Sequence, residues 1–583
     1  MSVPASPFVL ILGAGVNGAC VARELALNGV AVWIVDRFDI AYGATAKSSR
    51  LIHGGLRYLE YGDVALVRES LEERARLLEL APQYVRPLRL SIPVQSAVGG
   101  MMSAGLRFLK LSRTSLGGRA ARLLDGPRGR GLATVRAGLW MYDQLAGGGG
   151  LPGHTVVPVG DAPPHVDPAR YGWMCRYFDA QMLQPERFTL ALLEDAREVA
   201  ERSGADFRVL THCAARLTPE GVVLESAKAA ADRIAPPLEL PSQSFRPDCV
   251  VNATGAWGDW TLRDLHAAAP QLFGGTRGSH LLTRHAGLRK AIQGEGVYAE
   301  AGDGRLVFIL PCDDAVLVGT TDEPFPDRPE DARATSAELA YLIGMVNEVF
   351  PQVGLTAADI ASHYSGVRPL PHVEAGSTSA IPRGHWIDSR TVHGLAVHTL
   401  IGGKLTTCRA LGEQGADRVF AGLDRIREAS TRTRPIPGAQ GLNQDADDRR
   451  KFLDTLAAAA GFPAETVAAA VRLLGSRAEP ALLRLTDPDD RQLIVGTPWP
   501  RGFVRNLLEG EWVATLGDLV ERRLLLPDSG HVTRETLQEL AALCGIPENA
   551  RPAAIDSLRG RLKDHYGIDG AASPSGASFA AAR

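Results

Sequence analysis

The chain has 583 residues, of which 45% are hydrophobic, 22% charged and 6% aromatic. With 66 acidic and 63 basic side chains its formal net charge is −3, which excludes a disordered, collagen-like or strongly cationic nucleic-acid-binding protein. The length predicts several domains. The seven cysteines form no Cys-x-x-Cys pair, so we expect neither a disulfide framework nor a metal site.

The N-terminal segment has the pattern of a βαβ unit. Residues 1–7 are expected to be flexible, and Phe8–Leu12 is a short apolar run typical of a strand buried on both faces of a parallel sheet. A glycine-rich turn at 13–18, a helical stretch at 19–28 and a second apolar strand at 30–35 follow it. Asp36 stands at the end of that second strand.

The glycines of Gly-Ala-Gly-Val-Asn-Gly have the spacing that dinucleotide binding requires. Gly13 permits the tight turn, Gly15 lets the backbone approach a pyrophosphate, and Gly18 lets helix and strand pack closely. Asp36 is placed to accept hydrogen bonds from an adenosine ribose. The motif predicts a bound dinucleotide, leaves NAD and FAD open, and has as its alternative a tight turn that binds nothing.

The rest of the chain divides into recognisable stretches. Residues 8–430 are predicted to form a dinucleotide-binding domain interleaved with a substrate domain, 431–566 a helical domain, and 567–583 a disordered tail. The predicted elements, in chain order, are an amphipathic helix at 64–80, a basic insertion at about 99–153, a helix at 187–203, strands within 207–224, a buried strand at 249–253, antiparallel sheet over 276–325, and helices over 446–565.

Six collinear blocks resemble the FAD-dependent, quinone-linked glycerol-3-phosphate dehydrogenases. The longest is residues 44–59, Ala-Thr-Ala-Lys-Ser-Ser-Arg-Leu-Ile-His-Gly-Gly-Leu-Arg-Tyr-Leu, which is dense in hydroxyls, glycines and cations. The others are 251–257, 278–280, 318–322, 364–370 and 402–407, and residues 512–523 are similar to that family's C-terminal cap. The resemblance covers essentially the whole chain.

This resemblance implies an α/β fold with an N-terminal FAD-binding Rossmann-like domain, an interleaved antiparallel-sheet substrate domain and a helical C-terminal domain. It also implies noncovalent FAD and oxidation of glycerol 3-phosphate to dihydroxyacetone phosphate, with a hydride passed to flavin and electrons to quinone. The residues expected to hold FAD are Gly13, Gly15, Asn17, Gly18, Asp36, Thr45, Ser48, Ser49, Gly55, Ala253, Gly255, Gly403, Lys404, Leu405 and Thr406.

Two arginines within these blocks are the candidates for binding the substrate phosphate. A dianionic phosphate favours the bidentate guanidinium fork, and Arg57 and Arg368 each lie among glycines and turn formers. Tyr58 is expected to add a hydrogen bond. The alternative for any one of the 56 arginines is a solvated surface side chain.

Lys404 and a histidine complete the predicted site. Lysine is scarce, with seven in the chain, and we expect Lys404 beside the flavin, where a cation stabilises charge on the reduced ring; its alternative is a solvated lysine. Removal of the alcohol proton needs a base with a pKa near neutral. His280 is the first candidate and His53 the second, the alternative being a structural histidine.

Other activities remain open at this stage. One is an oxidase that passes electrons to oxygen, and another is a flavin-binding regulatory protein without turnover; the phosphate-binding residues argue against the second. An NAD-dependent dehydrogenase is the least favoured. Ala256, Cys312 and Cys408 depart from the family's usual residues, which leaves fine substrate specificity open.

The basic stretch 107–136 interleaves arginines with leucines, a composition typical of an element that rests on an anionic bilayer; a solvated basic loop is the alternative. No run approaches the roughly 20 apolar residues of a membrane-spanning helix, and no basic segment precedes residues 8–12, so we expect no secretory signal. The expected location is the cytoplasmic face of the cell membrane, bound peripherally. The expected partners are glycerol 3-phosphate, quinone and a second copy of the chain in a homodimer.

Overall fold

The computed structural model describes residues 4, 7–59, 62–96, 131–147, 150–160, 162–226, 230–236, 238–267, 269–300, 305–373 and 384–569. Its strands are β1 Phe8–Leu12, β2 Ala31–Val35, β3 Leu51–Ile52, β4 Val85–Val94, β5 Thr155–Pro158, β6 Trp173–Met182, β7 Phe207–Leu210, β8 Cys213–Thr218, β9 Gly221–Ser226, β10 Cys249–Asn252, β11 Thr276–Thr283, β12 Gly296–Glu300, β13 Leu306–Cys312, β14 Ala315–Gly319, β15 Glu323–Pro324, β16 Ile360–Arg368, β17 Trp386–Val392 and β18 Leu395–Ile401.

The α-helices are α1 Val16–Leu27, α2 Leu56–Leu59, α3 Val64–Leu80, α4 Leu132–Ala146, α5 Pro185–Ser203, α6 Gly258–Asp264, α7 Ala286–Ile292, α8 Ser336–Val349, α9 Cys408–Gly422, α10 Ala446–Ala460, α11 Ala464–Leu474, α12 Ala478–Leu483, α13 Pro488–Arg491, α14 Arg501–Gly510, α15 Leu516–Asp518, α16 Leu526–Ser529, α17 Arg534–Leu543 and α18 Arg551–Tyr566. A π-helical turn, Leu519–Arg523, joins α15 to the chain before α16.

A six-stranded sheet of the described residues carries the N-terminal βαβ unit. Its order is β17-β18-β10-β1-β2-β7, and β1 pairs in parallel with both β2 and β10. These three strands are buried along their whole length, as their apolar runs predict. Helix α1 packs between α5 and α9 and begins three residues earlier than predicted, because Gly15 is its N-cap. The carboxyl ends of β1, β2 and β10 therefore meet beside the glycine-rich turn.

A second, mainly antiparallel sheet covers that edge. Near one edge of this sheet, β11 pairs with β14 on one side and β16 on the other, as the alternation over 276–325 predicts. His280 on β11 lies opposite Gly319 of β14 and Tyr364 of β16. This register places the two blocks around 280 and 364 side by side above the first sheet.

The C-terminal helices α10 to α18 pack against both sheets through apolar residues and buried ion pairs. Asp39, which follows β2, is fully buried and accepts hydrogen bonds from Arg522 Nε at 2.5 Å and Arg523 Nη1 at 2.6 Å. Paired in this way, the three charges avoid the large cost of an isolated buried charge. The predicted fold class, a Rossmann-like domain with an antiparallel sheet and a helical C-terminal region, is confirmed.

Several predictions fall outside the described residues. Most of the basic insertion (97–130), residues 1–3 and the tail from 570 are among them, and the predicted domain boundaries stay predictions. In the described ranges no single helix is long and apolar enough to cross a membrane, although the bent pair Ala446–Ala460 and Ala464–Leu483 meets the same criteria of length and composition.

Candidate active site

The glycine-rich turn between β1 and α1 is shaped by its own packing and by an open face. Gly13 has φ +102°, and a Cβ there would lie 2.6 Å from the Ala253 carbonyl oxygen. A Cβ on Gly18 would lie 2.0 Å from the Gly13 carbonyl oxygen. At Gly15, in contrast, the nearest described atom to a Cβ is Thr45 Oγ1 at 3.4 Å. The chain itself therefore requires Gly13 and Gly18, whereas Gly15 keeps a backbone face open at a helix N-terminus, where phosphate binds.

Asp36 closes this end of the site. Its carboxylate accepts hydrogen bonds from the backbone N–H groups of Ala14 at 2.7 Å and Phe38 at 2.8 Å. Burial raises the pKa of Asp36 to about 6, against the effect of those two donors. Each carboxylate oxygen has a second lone pair, so Asp36 ties the turn to β2 and still has capacity to accept from a ribose hydroxyl.

A cavity of about 360 Å³ joins this end to the antiparallel sheet. The predicted residues that line it are Gly13, Gly15, Asn17, Asp36, Thr45, Ser48, Ser49, Tyr58, Ala253, Gly255, His280, Arg368, Gly403, Lys404, Leu405 and Thr406, together with His53. Asn17 Oδ1 is buried and has no hydrogen-bond partner in the part of the chain that the structure describes. An orphaned acceptor beside an open glycine face fits a bound dinucleotide such as FAD.

His280 lies at the far end of the cavity, on β11, and is 2% exposed. Its Nε2 is 2.8 Å from Ser49 Oγ, and its ring stacks on that of Tyr364 with centroids 4.9 Å apart. Burial lowers the pKa of His280 to about 3, and the positive charges of Arg368 and Arg50 lower it further. The ring is therefore neutral at physiological pH and can accept a proton, but its pKa lies well below the near-neutral value expected of the base.

Arg368, at the end of β16, is held by several acceptors on one side. Its guanidinium donates to Asp322 Oδ1 at 2.8 Å, and to Thr320 Oγ1 and the Thr321 carbonyl oxygen at 2.9 Å each. Gly278 makes room for it, because a Cβ there would lie 2.2 Å from Arg368 Nη2. These bonds fix the guanidinium in the cavity wall, as recognition of an anion by a preorganised fork requires.

Lys404 and the loop around His53 form the floor between the two ends. Lys404 Nζ lies 3.9 Å from the centroid of the Tyr58 ring, a cation–π contact. The His53 backbone N–H donates to Thr406 Oγ1 at 3.1 Å. Burial lowers the pKa of the His53 ring to about 4, Asp179 opposes this, and Lys404 and Arg74 reinforce it. Both histidines proposed from the sequence are thus neutral, with His280 buried and His53 half-buried.

Two predicted residues, Gly18 and Gly55, are not among the described residues that line the cavity. Gly18 contributes through helix packing alone, as its Cβ clash indicates. Gly55, at φ +75°, is required by Tyr58, whose ring would lie 2.2 Å from a Cβ at that position. Arg57 lies in α2, and its side chain falls outside the described residues, so its phosphate contact stays a prediction.

Two features of the site were not predicted from the sequence. One is the group of aromatic rings that lines the nucleotide end of the cavity, and the other is the pair of residues that contacts Arg368 and His280 at the substrate end. The stacked rings of Phe38 and Tyr42, with centroids 4.2 Å apart, line the cavity with Trp257. Asp322 and Tyr364 stand within blocks that the family resemblance identified, but no local pattern indicates that they contact Arg368 and His280. Their proximity follows from strand register.

The two cysteines that depart from the family's usual residues are buried in the structure. Cys312 is buried, and its sulfur lies 3.8 Å from Arg50 Nη1; burial raises its thiol pKa to about 12. Cys408 is fully buried and hydrogen-bonded to Cys20, whose pKa lies well above its ordinary value. Thiols this hard to ionise are poor nucleophiles.

The chain is similar to a protein family, to individual proteins in sequence and to a solved structure in fold. The family model for FAD dependent oxidoreductases matches residues 9–148 and 150–418. A glycerol-3-phosphate dehydrogenase of Synechocystis sp. is 31% identical over 457 residues, covering 74% of this chain and 73% of that protein. The D-erythritol 1-phosphate dehydrogenase of Brucella abortus is 29% identical over 561 residues, covering 95% of this chain and 100% of that protein.

The fold has a counterpart of nearly the same length among solved structures. The glycerol-3-phosphate dehydrogenase from Bacillus halodurans, solved with FAD, superimposes with a TM-score of 0.68 over 96% of this chain and 94% of that chain. At 20% sequence identity this likeness concerns the arrangement of the elements.

Proposed function

Because this chain belongs to the FAD-dependent oxidoreductase family, we propose that it oxidises the secondary alcohol of glycerol 3-phosphate to dihydroxyacetone phosphate and passes the electrons to a quinone. One observation carries this proposal: a single cavity joins the glycine-rich turn and Asp36 at one end to His280, Arg368 and Lys404 at the other. A dinucleotide site, a base and an anion site thus share one chamber.

FAD is held noncovalently at the first end. The open face at Gly15 and the α1 N-terminus receive the pyrophosphate, and Asp36 accepts from the adenosine ribose. The buried Asn17 Oδ1 and the backbone around Gly403 contact the cofactor farther along the cavity. When bound, FAD supplies the acceptor for the hydride that leaves the substrate's C2.

The chain's own side chains orient and deprotonate the substrate. Arg368, fixed by Asp322 and its threonine partners, places its positive charge in the cavity wall, where it attracts the substrate phosphate. The neutral His280 ring takes the proton of the C2 hydroxyl as the C2 hydride departs, so that one proton and one hydride leave together and a ketone remains. Lys404 places a positive charge where negative charge develops.

A four-carbon polyol phosphate is the second candidate substrate. The relative named D-erythritol 1-phosphate dehydrogenase aligns with 95% of this chain and along its own entire length. Ala256 and Cys312 are smaller than the family's usual residues at these positions, and Ala256 lies in the cavity wall. The smaller side chain of Ala256 in that wall leaves room for an additional hydroxymethyl group.

Anaerobic flavin reduction tests both candidates. The purified protein should be yellow, should release FAD on acid denaturation, and should bleach when glycerol 3-phosphate is added. Glycerol is the control, because it keeps the alcohol and lacks the phosphate. Faster bleaching by erythritol phosphate than by glycerol 3-phosphate would select the four-carbon substrate, and no bleaching by either would reject the proposal.

The electron acceptor is tested separately. We expect reduced enzyme to reoxidise rapidly with a soluble quinone and to form little peroxide in air. Stoichiometric peroxide formation together with slow quinone reduction would instead identify an oxidase.

The same proposal places the protein on an anionic membrane surface at the cytoplasmic face, docked through residues 107–136. At the described end of that stretch α4 presents the exposed Arg136, and one turn farther along the same helix it presents Trp140, which is 60% exposed. An exposed tryptophan beside basic residues is typical of interfacial docking. Sedimentation with anionic vesicles should fall in the Arg136→Gln, Trp140→Ala double variant. The control is Ile426→Ala, which removes another exposed apolar side chain; equal loss in both would contradict the proposed docking site.

A further inference from the structure

A buried polar cluster lies directly beneath the loop that carries His53. It consists of Arg74 on α3, Tyr142 on α4 and Asp179 on β6, each at most 2% exposed. The three residues come from separate parts of the chain and meet under Gly54, the residue after His53. None of the three lines the cavity, so they act on the site through the loop above them.

Three hydrogen bonds of this cluster converge on one oxygen of Asp179. Asp179 Oδ1 accepts from Tyr142 Oη at 2.6 Å, from Arg74 Nη1 at 2.7 Å and from the Gly54 backbone N–H at 3.2 Å. The same Gly54 N–H lies 2.9 Å from Tyr142 Oη. The amide of the loop is therefore shared between a carboxylate and a phenol that is itself fixed by that carboxylate.

The loop rests on the cluster without a gap. A Cβ on Gly54 would lie 2.4 Å from Tyr142 Oη and 2.5 Å from Leu71 Cδ2, so the backbone approaches as closely as glycine allows. On the opposite side, the His53 N–H donates to Thr406 Oγ1. Two consecutive backbone amides are thus held by hydrogen bonds, which fixes the main chain from which the His53 side chain enters the cavity wall.

The ion pair between Arg74 and Asp179 does not require the hydrogen bonds from the Gly54 amide and the Tyr142 hydroxyl. Arg74 also donates to the Phe178 carbonyl oxygen at 3.0 Å, and its bond to Asp179 would neutralise both buried charges without the Gly54 amide or the Tyr142 hydroxyl. We therefore assign the hydrogen bonds that Tyr142 and the Gly54 amide make to the stabilisation of the His53 loop. Asp179 is also the negative charge that acts on His53, opposite the positive charges of Lys404 and Arg74.

We propose that Tyr142 and Asp179 are positioning residues for the oxidation: their hydrogen bonds to the Gly54 amide hold the His53 loop in the geometry that flavin reduction requires. This inference rests on the proposed function. Rates respond steeply to placement, since displacements of about 1 Å reduce them by about 100-fold. Loss of one of the two bonds to the amide should therefore have a moderate and measurable effect.

Tyr142→Phe in the full-length holoenzyme tests this. The change removes a single hydroxyl and leaves the Arg74–Asp179 pair intact. The matched control is Tyr84→Phe, because Tyr84 is also buried and its hydroxyl donates to the Leu473 carbonyl oxygen at 2.9 Å, away from the cavity. Stopped-flow flavin reduction is measured over a range of glycerol 3-phosphate concentrations, together with FAD content and the unfolding midpoint.

We expect Tyr142→Phe to slow flavin reduction at saturating substrate about tenfold, with less than a threefold change in substrate affinity and with FAD content equal to that of Tyr84→Phe. A rate per bound flavin equal to wild type would overturn the inference, as would a loss that merely follows FAD content. If Tyr142→Phe does not fold, Asp179→Asn, which keeps the side-chain shape but replaces the charged acceptor of the Gly54 amide by a weaker neutral one, must show the same slowing. Failure of wild-type enzyme to bleach with any polyol phosphate would instead reject the proposed function.

Discussion

The two ends of the cavity are built on different principles. At the nucleotide end the key hydrogen bonds join residues close in sequence: Ala14 to Asp36 across 22 positions and Val16 to Thr45 across 29. At the substrate end Ser49 meets His280 across 231 positions and His53 meets Thr406 across 353. The first end is a local supersecondary structure, whereas the second exists only when two sheets have assembled.

The chemistry differs in the same way. Backbone N–H groups and glycine faces provide most of the nucleotide end, so its binding depends on main-chain shape more than on side-chain identity. Guanidinium, ammonium and imidazole groups provide the substrate end, each fixed by partners from other segments. Substitutions should therefore abolish cofactor binding at the first end and should change rate and selectivity at the second.

Gly15→Val should have the largest effect, because a branched side chain would fill the only open face of the turn that the described residues leave at a helix N-terminus. We expect colourless protein without bound FAD and without detectable activity. Gly344→Val is the control, since no described atom lies within 4 Å of a Cβ there; it should remain yellow. Normal flavin content in Gly15→Val would show that the dinucleotide does not cross this turn.

His280→Ala should have the second-largest effect. Removal of a general base reduces rates by about 10²- to 10⁴-fold, and we expect this loss in the rate of flavin reduction, with FAD content retained and little change in substrate affinity. His398→Ala is the matched control, because His398 also pairs with a serine, Ser389 at 2.8 Å, but lies outside the cavity wall. Wild-type reduction by His280→Ala would move the role of base to His53.

Arg368→Ala should have a smaller effect on rate than His280→Ala, but it should also change substrate selectivity. Loss of a charge-assisted contact in a desolvated site removes about 3 kcal/mol of transition-state binding, roughly 100-fold in kcat/KM. The variant should also discriminate poorly between glycerol 3-phosphate and glycerol. The control is Arg390→Ala, because the Arg390–Asp388 ion pair is as exposed as the Arg368–Asp322 pair. This variant should leave kcat/KM unchanged. An unaltered preference for the phosphorylated substrate in Arg368→Ala would place the phosphate elsewhere, with Arg57 the next candidate.

The contrast also explains what could be predicted from the sequence. The βαβ unit, the turn at 13–18 and Asp36 are local, and apolar runs with glycines at fixed spacing predict them directly. The family blocks predicted that His280, Arg368 and Lys404 belong to one site. The pairing of His280 with Ser49 and Tyr364, the bond from Arg368 to Asp322 and the support of Gly54 by Tyr142 depend on strand register and helix packing. Those are tertiary properties that no window of sequence contains.

The smallest expected effect is a difference in how the two ends respond to pH. The folded pKa of His280 is lowered to about 3 from an ordinary value of 6.5, so the unfolded chain binds more protons and stability falls as pH drops below 6.5. Asp36 acts in the opposite direction: its folded pKa is raised from 3.8 to about 6, so the folded state binds more protons and stability rises as pH drops from 6 towards 4.

Substitutions that remove each titration should therefore change the pH dependence with opposite signs. Between pH 6.5 and 5, wild type should lose about 2 kcal/mol of unfolding free energy relative to His280→Gln, since 1.5 pH units at about 1.36 kcal/mol each separate the two. Asp36→Asn should instead lose more stability than wild type on acidification, because it lacks the compensating proton uptake. Denaturant unfolding at fixed excess FAD and several pH values measures both slopes. Parallel slopes for wild type and His280→Gln would mean that the ring titrates in the folded protein as it does in water, and the lowering of its pKa by burial would have to be abandoned.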